Sequence, residues 1–242
     1  MTQSRIEIAT MDGACPAILD MPEGGAKAGV ILYMDIFGLR PAMEQMAARY
    51  AAQGYAVLVP DLFYRFGDYG HFDARTAFSD EATAKQMRGM VSETSQAMTE
   101  RDSAGFVEAL DKAGVSGPIG TVGYCMGGPR ALNAAAAVPD RVVAAASLHG
   151  GNLAGSEDSP HARATDMKAR LYVGVAGVDK SFPPEQSAVL AQSLREAEID
   201  HIIENYVGCE HGWAVPDHGV YHETGAERHW KRMLDFFGET LG

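Results

Sequence analysis

The 242-residue sequence predicts an α/β fold, a mostly parallel central sheet with helices on both faces. Two observations predict it. Apolar runs of strand length recur at Gly29 to Met34, Ala56 to Val59, Ile119 to Gly123, Val142 to Leu148, Leu171 to Val175 and Ile202 to Tyr206, and they are continuous enough to be buried on both faces. Segments with helical spacing separate them, and a parallel crossover needs a connection of helix length. At the start, IEIAT and ACPAILD flank Asp12-Gly13 and read as a hairpin on the sheet edge. After the first central strand, Ala42 to Gln53 places Met43, Met46, Ala47 and Tyr50 on one helical face, with Gly54 as its stop. From Asp61 to about Met98 the periodicity weakens among mixed aromatic and polar residues, so 61–98 reads as a cap-like excursion over a pocket. Ser103 to Ala113 repeats Phe106, Val107 and Leu110 before Gly114, and an alanine-rich helix follows Gly128. Pro183 and Pro184 suit the first turn of a helix striped by Val189, Leu190, Leu194 and Ala197, and Trp230, Met233, Leu234 and Phe237 mark the last helix. No repeat or linker divides the chain, so residues 1–242 read as one domain.

Charge and cysteine usage narrow the function. With 32 acids against 20 Lys plus Arg the net charge is −12, which disfavours nucleic acid and anionic membrane surfaces as partners. No apolar run approaches the roughly 18 residues of a membrane span. The opening MTQSRIEIATMDG carries Arg5, Glu7 and Asp12 and no apolar signal region, so a cytoplasmic protein is expected. Cys15, Cys125 and Cys209 are odd in number and lack CxxC spacing, which argues against a disulfide framework.

Chemistry concentrates in IGTVGYCMGG, Ile119 to Gly128. An apolar strand runs into Gly123-Tyr124-Cys125-Met126-Gly127 and then into a helix, the nucleophile-elbow pattern with Cys in the Ser position. The nucleophile sits at a strained turn, so the residues two before and two after it must be small. Sulfur at a helix N-terminus favours the thiolate, and the backbone N–H of Met126 points to where an oxyanion would form. In such folds the acid and then the histidine follow on loops after later strands. Asp179 follows LYVGV-Ala176-Gly177-Val178, and His211 lies in Gly208-Cys209-Glu210-His211-Gly212-Trp213 after the last strand.

These residues resemble the dienelactone hydrolase family of α/β-hydrolases. The resemblance rests on DIFGLR at Asp35 to Arg40, PDLF at Pro60 to Phe63, GYCMGG at Gly123 to Gly128, GVDKSFPP at Gly177 to Pro184 and CEHGW at Cys209 to Trp213, and covers nearly the whole chain. It implies an α/β-hydrolase fold and a Cys125, His211, Asp179 triad, with the backbone N–H of Ile36 as second oxyanion donor. The family carries a glutamate before Ile-Phe-Gly that holds the thiol proton. The matching acid is Asp35, one methylene shorter, which the resemblance implies as a thiol-modulating group near Cys125. Family members bind a substrate carboxylate with arginines, one of them four residues after the histidine, where this chain has Val215. Arg65, Arg75 and Arg88 stand in the stretch where the other would fall.

Each residue also has a plainer reading. Asp179 could cap the helix near Pro183, Asp35 could be a turn acid, and Cys15 and Cys209 read as packing residues. Phe37, Phe63, Tyr64 and Trp213 are expected to wall an apolar substrate pocket, with His149 lining it from a strand end. His218 and His222 are four apart, with His229 beyond, but no HExxH glutamate accompanies them, so no metal is expected. The glycines of the elbow do not fit GxGxxG, so no dinucleotide site and no cofactor are expected. The sequence therefore predicts a hydrolase of a lactone or small activated ester, working through an acyl-thioester as a monomer or small homo-oligomer. A broader carboxylesterase or thioesterase is the alternative, followed by a non-catalytic or redox thiol protein.

Overall fold

The computed structural model describes residues 1–26 and 28–242. Thr2–Thr10 (β1) and Gly13–Met21 (β2) form the expected antiparallel hairpin, with Thr10 opposite Gly13. β2 then pairs antiparallel with Ala56–Pro60 (β4). Every later pairing is parallel: β4 with Gly29–Tyr33 (β3), then Ile119–Tyr124 (β5), Val142–Leu148 (β6), Arg170–Val178 (β7) and His201–Glu210 (β8). The order across the sheet is β1-β2-β4-β3-β5-β6-β7-β8, so the chain starts at one edge, and its direction of growth reverses after β4, when β5 is added on the other side of β3. Ligands bind at such a switch, outside the carboxyl ends of the strands.

The helices are Pro41–Ala51 (α1), Glu81–Glu93 (α2), Gln96–Lys112 (α3), Gly127–Ala137 (α4), Pro184–Glu196 (α5) and Glu223–Leu241 (α6). Gly54 follows α1 at φ 94°, a left-handed stop that a residue with Cβ would resist. β3, β4 and β5 are buried at every position, which is why their sequences read as unbroken apolar runs. Truncating one of them, as in Ile31→Ala, is expected to cost about 2–5 kcal/mol.

Three expectations need correction. β8 is an edge strand in which only Tyr206 and Cys209 are buried, and Ile202 is 37% exposed, so it is not covered on both faces. α2 lies inside the stretch of weak periodicity because its buried stripe is only Ala84, Met87 and Met90 amid polar residues. α3 begins at Gln96 rather than Ser103. Its extra turns are polar outside, and the Ser95 hydroxyl caps them by accepting from Met98 N–H at 3.2 Å.

Beneath the elbow runs a buried polar chain. Tyr50 and Tyr124 hydroxyls lie 3.0 Å apart, and Tyr124 meets His229 Nε2 at 2.9 Å. His229 Nδ1 lies 2.9 Å from the Ala226 carbonyl and donates to it, leaving Nε2 as the acceptor. The chain ties α1, β5 and α6 together at Tyr124, the last residue of β5 before Cys125. Burial holds His229 neutral, its pKa pushed down to about 3.

Candidate active site

Cys125 occupies the turn between β5 and α4 at φ 55°, a left-handed conformation that is strained for a residue with a side chain. The turn is possible because Gly123 and Gly127 are bare. A Cβ on Gly123 would collide with the Gly127 carbonyl, and one on Gly127 would collide with the carbonyls of Tyr33 and Met34 at the end of β3. The same closeness brings Ile36, just past β3, to the elbow. Among the described residues, neither the Ile36 nor the Met126 N–H donates to a protein acceptor, and both residues line the cavity. Cys125 also stands at the N-terminus of α4, where the helix dipole favours negative charge.

Asp179 follows the end of β7, and His211 follows β8. Asp179 Oδ2 accepts from His211 Nδ1 at 2.7 Å. Its other oxygen accepts from Ser181 twice, from the backbone N–H at 2.8 Å and the hydroxyl at 2.6 Å, and that hydroxyl also lies 3.1 Å from His211 Nδ1. Burial opposes a charge on His211, but Asp179 and the neighbouring Cys125 sulfur, as hydrogen-bond acceptors carrying negative charge, outweigh it and raise the pKa to about 10. Burial likewise opposes charge on Asp179, and its hydrogen bonds to His211 and Ser181 hold it below the usual carboxylate range. The three residues that sequence order singled out thus meet at one edge of the sheet. Ser181 was not singled out, although its position two residues after an acid is that of an Asx-type turn.

A cavity of about 650 Å³ opens in front of Cys125 and His211. Its far wall is the corner between α2 and α3, Val91 to Gln96, and its third side is the loop after β6 around Asn152 and Ser159. Part of the 61–98 stretch therefore faces the cavity. The expected aromatic wall is a correction, because Phe37, Phe63, Tyr64, Trp213 and His149 do not line it, and Phe63 is fully buried. Phe37 packs inward against His218 at 5.1 Å between ring centroids. Tyr64 turns toward the hairpin, its hydroxyl 2.6 Å from Thr10. Trp213 is fully buried, stacked on Tyr206 at 4.6 Å. His149 sits under the turn, where its Nδ1 accepts from the Cys125 N–H at 3.1 Å and its ring lies 5.1 Å from that of His211. Burial, with His211 and His218 nearby, keeps His149 far below its ordinary pKa and therefore neutral. Proximity to a motif says little about which way a side chain points.

Asp35 also departs from expectation. Its carboxylate is fully buried, and the thiol is not among its hydrogen-bond partners in the described residues. Oδ1 accepts from Phe37 N–H at 2.9 Å and Arg40 Nη1 at 2.7 Å, while Oδ2 accepts from Arg40 Nη2 at 2.8 Å and His218 Nε2 at 2.9 Å. Burial alone would raise this carboxyl, but His218 and Arg40 hold it far below the usual range. His218 is thus committed to Asp35, His222 caps α6 through Gly225 N–H, and His229 faces Tyr124, so the three histidines serve separate places.

One cation at the cavity escaped the sequence reading. Arg130, in the alanine-rich first turns of α4, is only 4% exposed yet lines the cavity. It donates to the carbonyls of Met126 at 2.8 Å and Thr94 at 2.6 Å, tying the elbow to the α2–α3 corner, and has no carboxylate partner among the described residues. Burial lowers its pKa to about 10, so it remains charged near neutrality. Arg65, Arg75 and Arg88 do not line the cavity, and Arg65 is paired with Asp12 and Asp102. Val215 is buried and contributes no charge.

Known proteins share the fold of this chain. The model of the dienelactone hydrolase family matches residues 15–241. Carboxymethylenebutenolidase of Rhodococcus opacus is 29% identical over 221 residues, 90% of this chain and 83% of that protein. Among solved structures, a dienelactone hydrolase-like promiscuous phosphotriesterase from metagenomic libraries aligns with a TM-score of 0.80 at 23% identity, covering 100% of both chains. Dienelactone hydrolase from Anabaena variabilis aligns with a TM-score of 0.69 at 15% identity, covering 100% of this chain and 99% of that one. These structures share the α/β-hydrolase fold found here.

Proposed function

We propose, for a chain that belongs to the dienelactone hydrolase family and is thereby a hydrolase of carboxylic esters or lactones, that Cys125 is the nucleophile and reacts through a thioester. The observation that carries this is the left-handed Cys125 beside the 2.7 Å His211–Asp179 pair at the floor of a cavity. His211 takes the thiol proton, and the thiolate attacks the carbonyl carbon. The N–H groups of Ile36 and Met126 hold the oxyanion, where loss of one donor typically costs about 2.7–4 kcal/mol. As the tetrahedral species collapses, the C–O bond breaks and His211 protonates the departing oxygen. His211 then removes a proton from water, which attacks the thioester, releases the acid and restores the thiol. A lactone's leaving oxygen stays tethered and can return, so a stabilised enolate is the best leaving group.

Arg130 supports a substrate carrying negative charge, because a buried guanidinium without an ion-pair partner lowers the electrostatic cost of an anion in the cavity. A broader carboxylesterase would hydrolyse a carboxylated butenolide and its neutral methyl ester at similar rates. The anion-selective reading expects the carboxylated one to be preferred, and Arg130→Met to reduce that preference. The nucleophile is tested by intact-mass trapping of an acyl group on Cys125 during turnover. Full turnover by Cys125→Ala on butenolide and p-nitrophenyl ester panels would sink the thioester route.

A further inference from the structure

Asp35 sits where two loops meet. The first, Asp35 to Arg40, carries Ile36 at the cavity. The second, His211 to His218, carries the imidazole. Within the first loop, Asp35 Oδ1 accepts from Phe37 N–H at 2.9 Å and its carbonyl accepts from Gly38 N–H at 3.4 Å. This tight turn sets the plane of the peptide that holds the Ile36 N–H. Arg40 closes the loop by returning to Asp35 in a two-pronged pair at 2.7 and 2.8 Å. The same guanidinium then grips Asp217 in the second loop at 2.6 and 2.9 Å, and His218 reaches Asp35 from that loop at 2.9 Å. His218 packs on Gly212, the residue next to His211, so closely that a Cβ on Gly212 would collide with its Nδ1. Arg40 and His218 side chains are only 7% and 8% exposed, so water does not compete with these bonds.

We propose that Asp35, Arg40 and His218 form a positioning clamp that anchors the Ile36 turn against the second loop and so sets the Ile36 N–H across the cavity, while Asp179 orients His211 and Asp35 does not act on the Cys125 thiol. The inference rests on the thioester reading above, since Ile36 matters only if an oxyanion forms there. A bidentate Arg–carboxylate pair is directional as well as strong, which suits it to fixing two loops relative to each other. Misplacing a reacting group by about 1 Å can cost roughly a hundredfold in rate.

Asp35→Asn keeps the shape and removes the charge. The experiment measures kcat and KM on a neutral activated ester, the rate of Cys125 alkylation by iodoacetamide across pH, and the melting temperature. The clamp expects kcat to fall roughly tenfold to a hundredfold, with KM changed by less than about twofold and the alkylation profile superimposable on the wild type. An alkylation profile that shifts with kcat would overturn it, because that is how a proton partner of the thiol behaves. An unchanged kcat in a folded variant would also overturn it. Should Asp35→Asn not fold, Asp217→Asn leaves Asp35 and Arg40 paired and removes one link at a side chain that is 37% exposed. There kcat should fall roughly threefold with unaltered alkylation, and an unchanged kcat overturns the clamp. Wild-type enzyme that never carries an acyl group on Cys125 would overturn both the thioester reading and the clamp. A trapped adduct with altered alkylation in the variant overturns the clamp alone.

Discussion

Asp179 and Asp35 are the same residue in nearly the same setting, yet they are built for different ends. Each follows a parallel strand, each carboxylate is almost wholly buried, and each meets an imidazole, His211 at 2.7 Å and His218 at 2.9 Å. The difference lies in what remains. Asp179 has no arginine among its described partners, and its histidine lines the cavity with 30% of its side chain exposed. Asp35 is closed off by Arg40, and its histidine faces inward. A buried carboxylate whose partner is a titrating imidazole can orient a proton carrier, whereas one locked to a permanent cation can only hold a shape.

The sharpest way to break this contrast is Asp179→Asn. Without the carboxylate the histidine loses both tautomer and orientation, and kcat should fall by roughly a thousand- to ten-thousandfold while urea stability changes little. Arg40→Met should do the reverse in emphasis. It strands Asp35 and Asp217, and the expected loss is about 3–5 kcal/mol in a urea melt. Should the melt be unchanged, Asp35 is not held by that pair. The sign with pH follows from its depressed pKa: the stabilisation by ionised Asp35 is complete above the ordinary value of about 3.9 and fades only as pH falls into stronger acid.

Ser181→Ala tests the middle ground, because it removes one neutral hydrogen bond from Asp179 and one contact from His211. A loss of about 1 kcal/mol, or roughly fivefold in kcat, is expected, with little effect on the melt. The pH profile gives the finest discrimination. His211 is raised to about 10, so its protonated form, which supplies the leaving-group proton in the proposed route, persists through neutrality and is lost as pH rises past that value. The alkaline limb of kcat/KM should lie near there, and a limb near 6.5 would mean that Asp179 and the thiol do not hold the proton.

The same contrast explains what could be read from the chain. The elbow was legible because its requirements are local: two glycines, a strand before and a helix after. Asp179 and His211 were legible from their order after strands. The rest of the network around Asp35 was not, since His218, which meets Asp35, and Asp217, which meets Arg40, lie 183 and 182 positions from Asp35 and only the fold brings them back. The cavity wall was misread for a related reason. Phe37 and Trp213 adjoin motif residues, but the turns that carry them direct their rings into the core. Arg130 was hidden among alanines, in a helix whose pattern spoke only of packing. α2 escaped because three buried positions cannot outweigh its polar majority.

The exposed edge of the sheet carries one last consequence. His211 hangs from β8, whose outer side has no neighbouring strand among the described residues and whose Val207 is 86% exposed, while Cys125 grows from a strand buried at every position. Openings of a protein begin where least apolar surface is lost. In a hydrogen-exchange experiment the β8 amides should therefore exchange well before those of β5. Mild denaturant would then silence the enzyme by releasing its histidine while the cysteine stays in place, and activity would vanish ahead of the main unfolding transition.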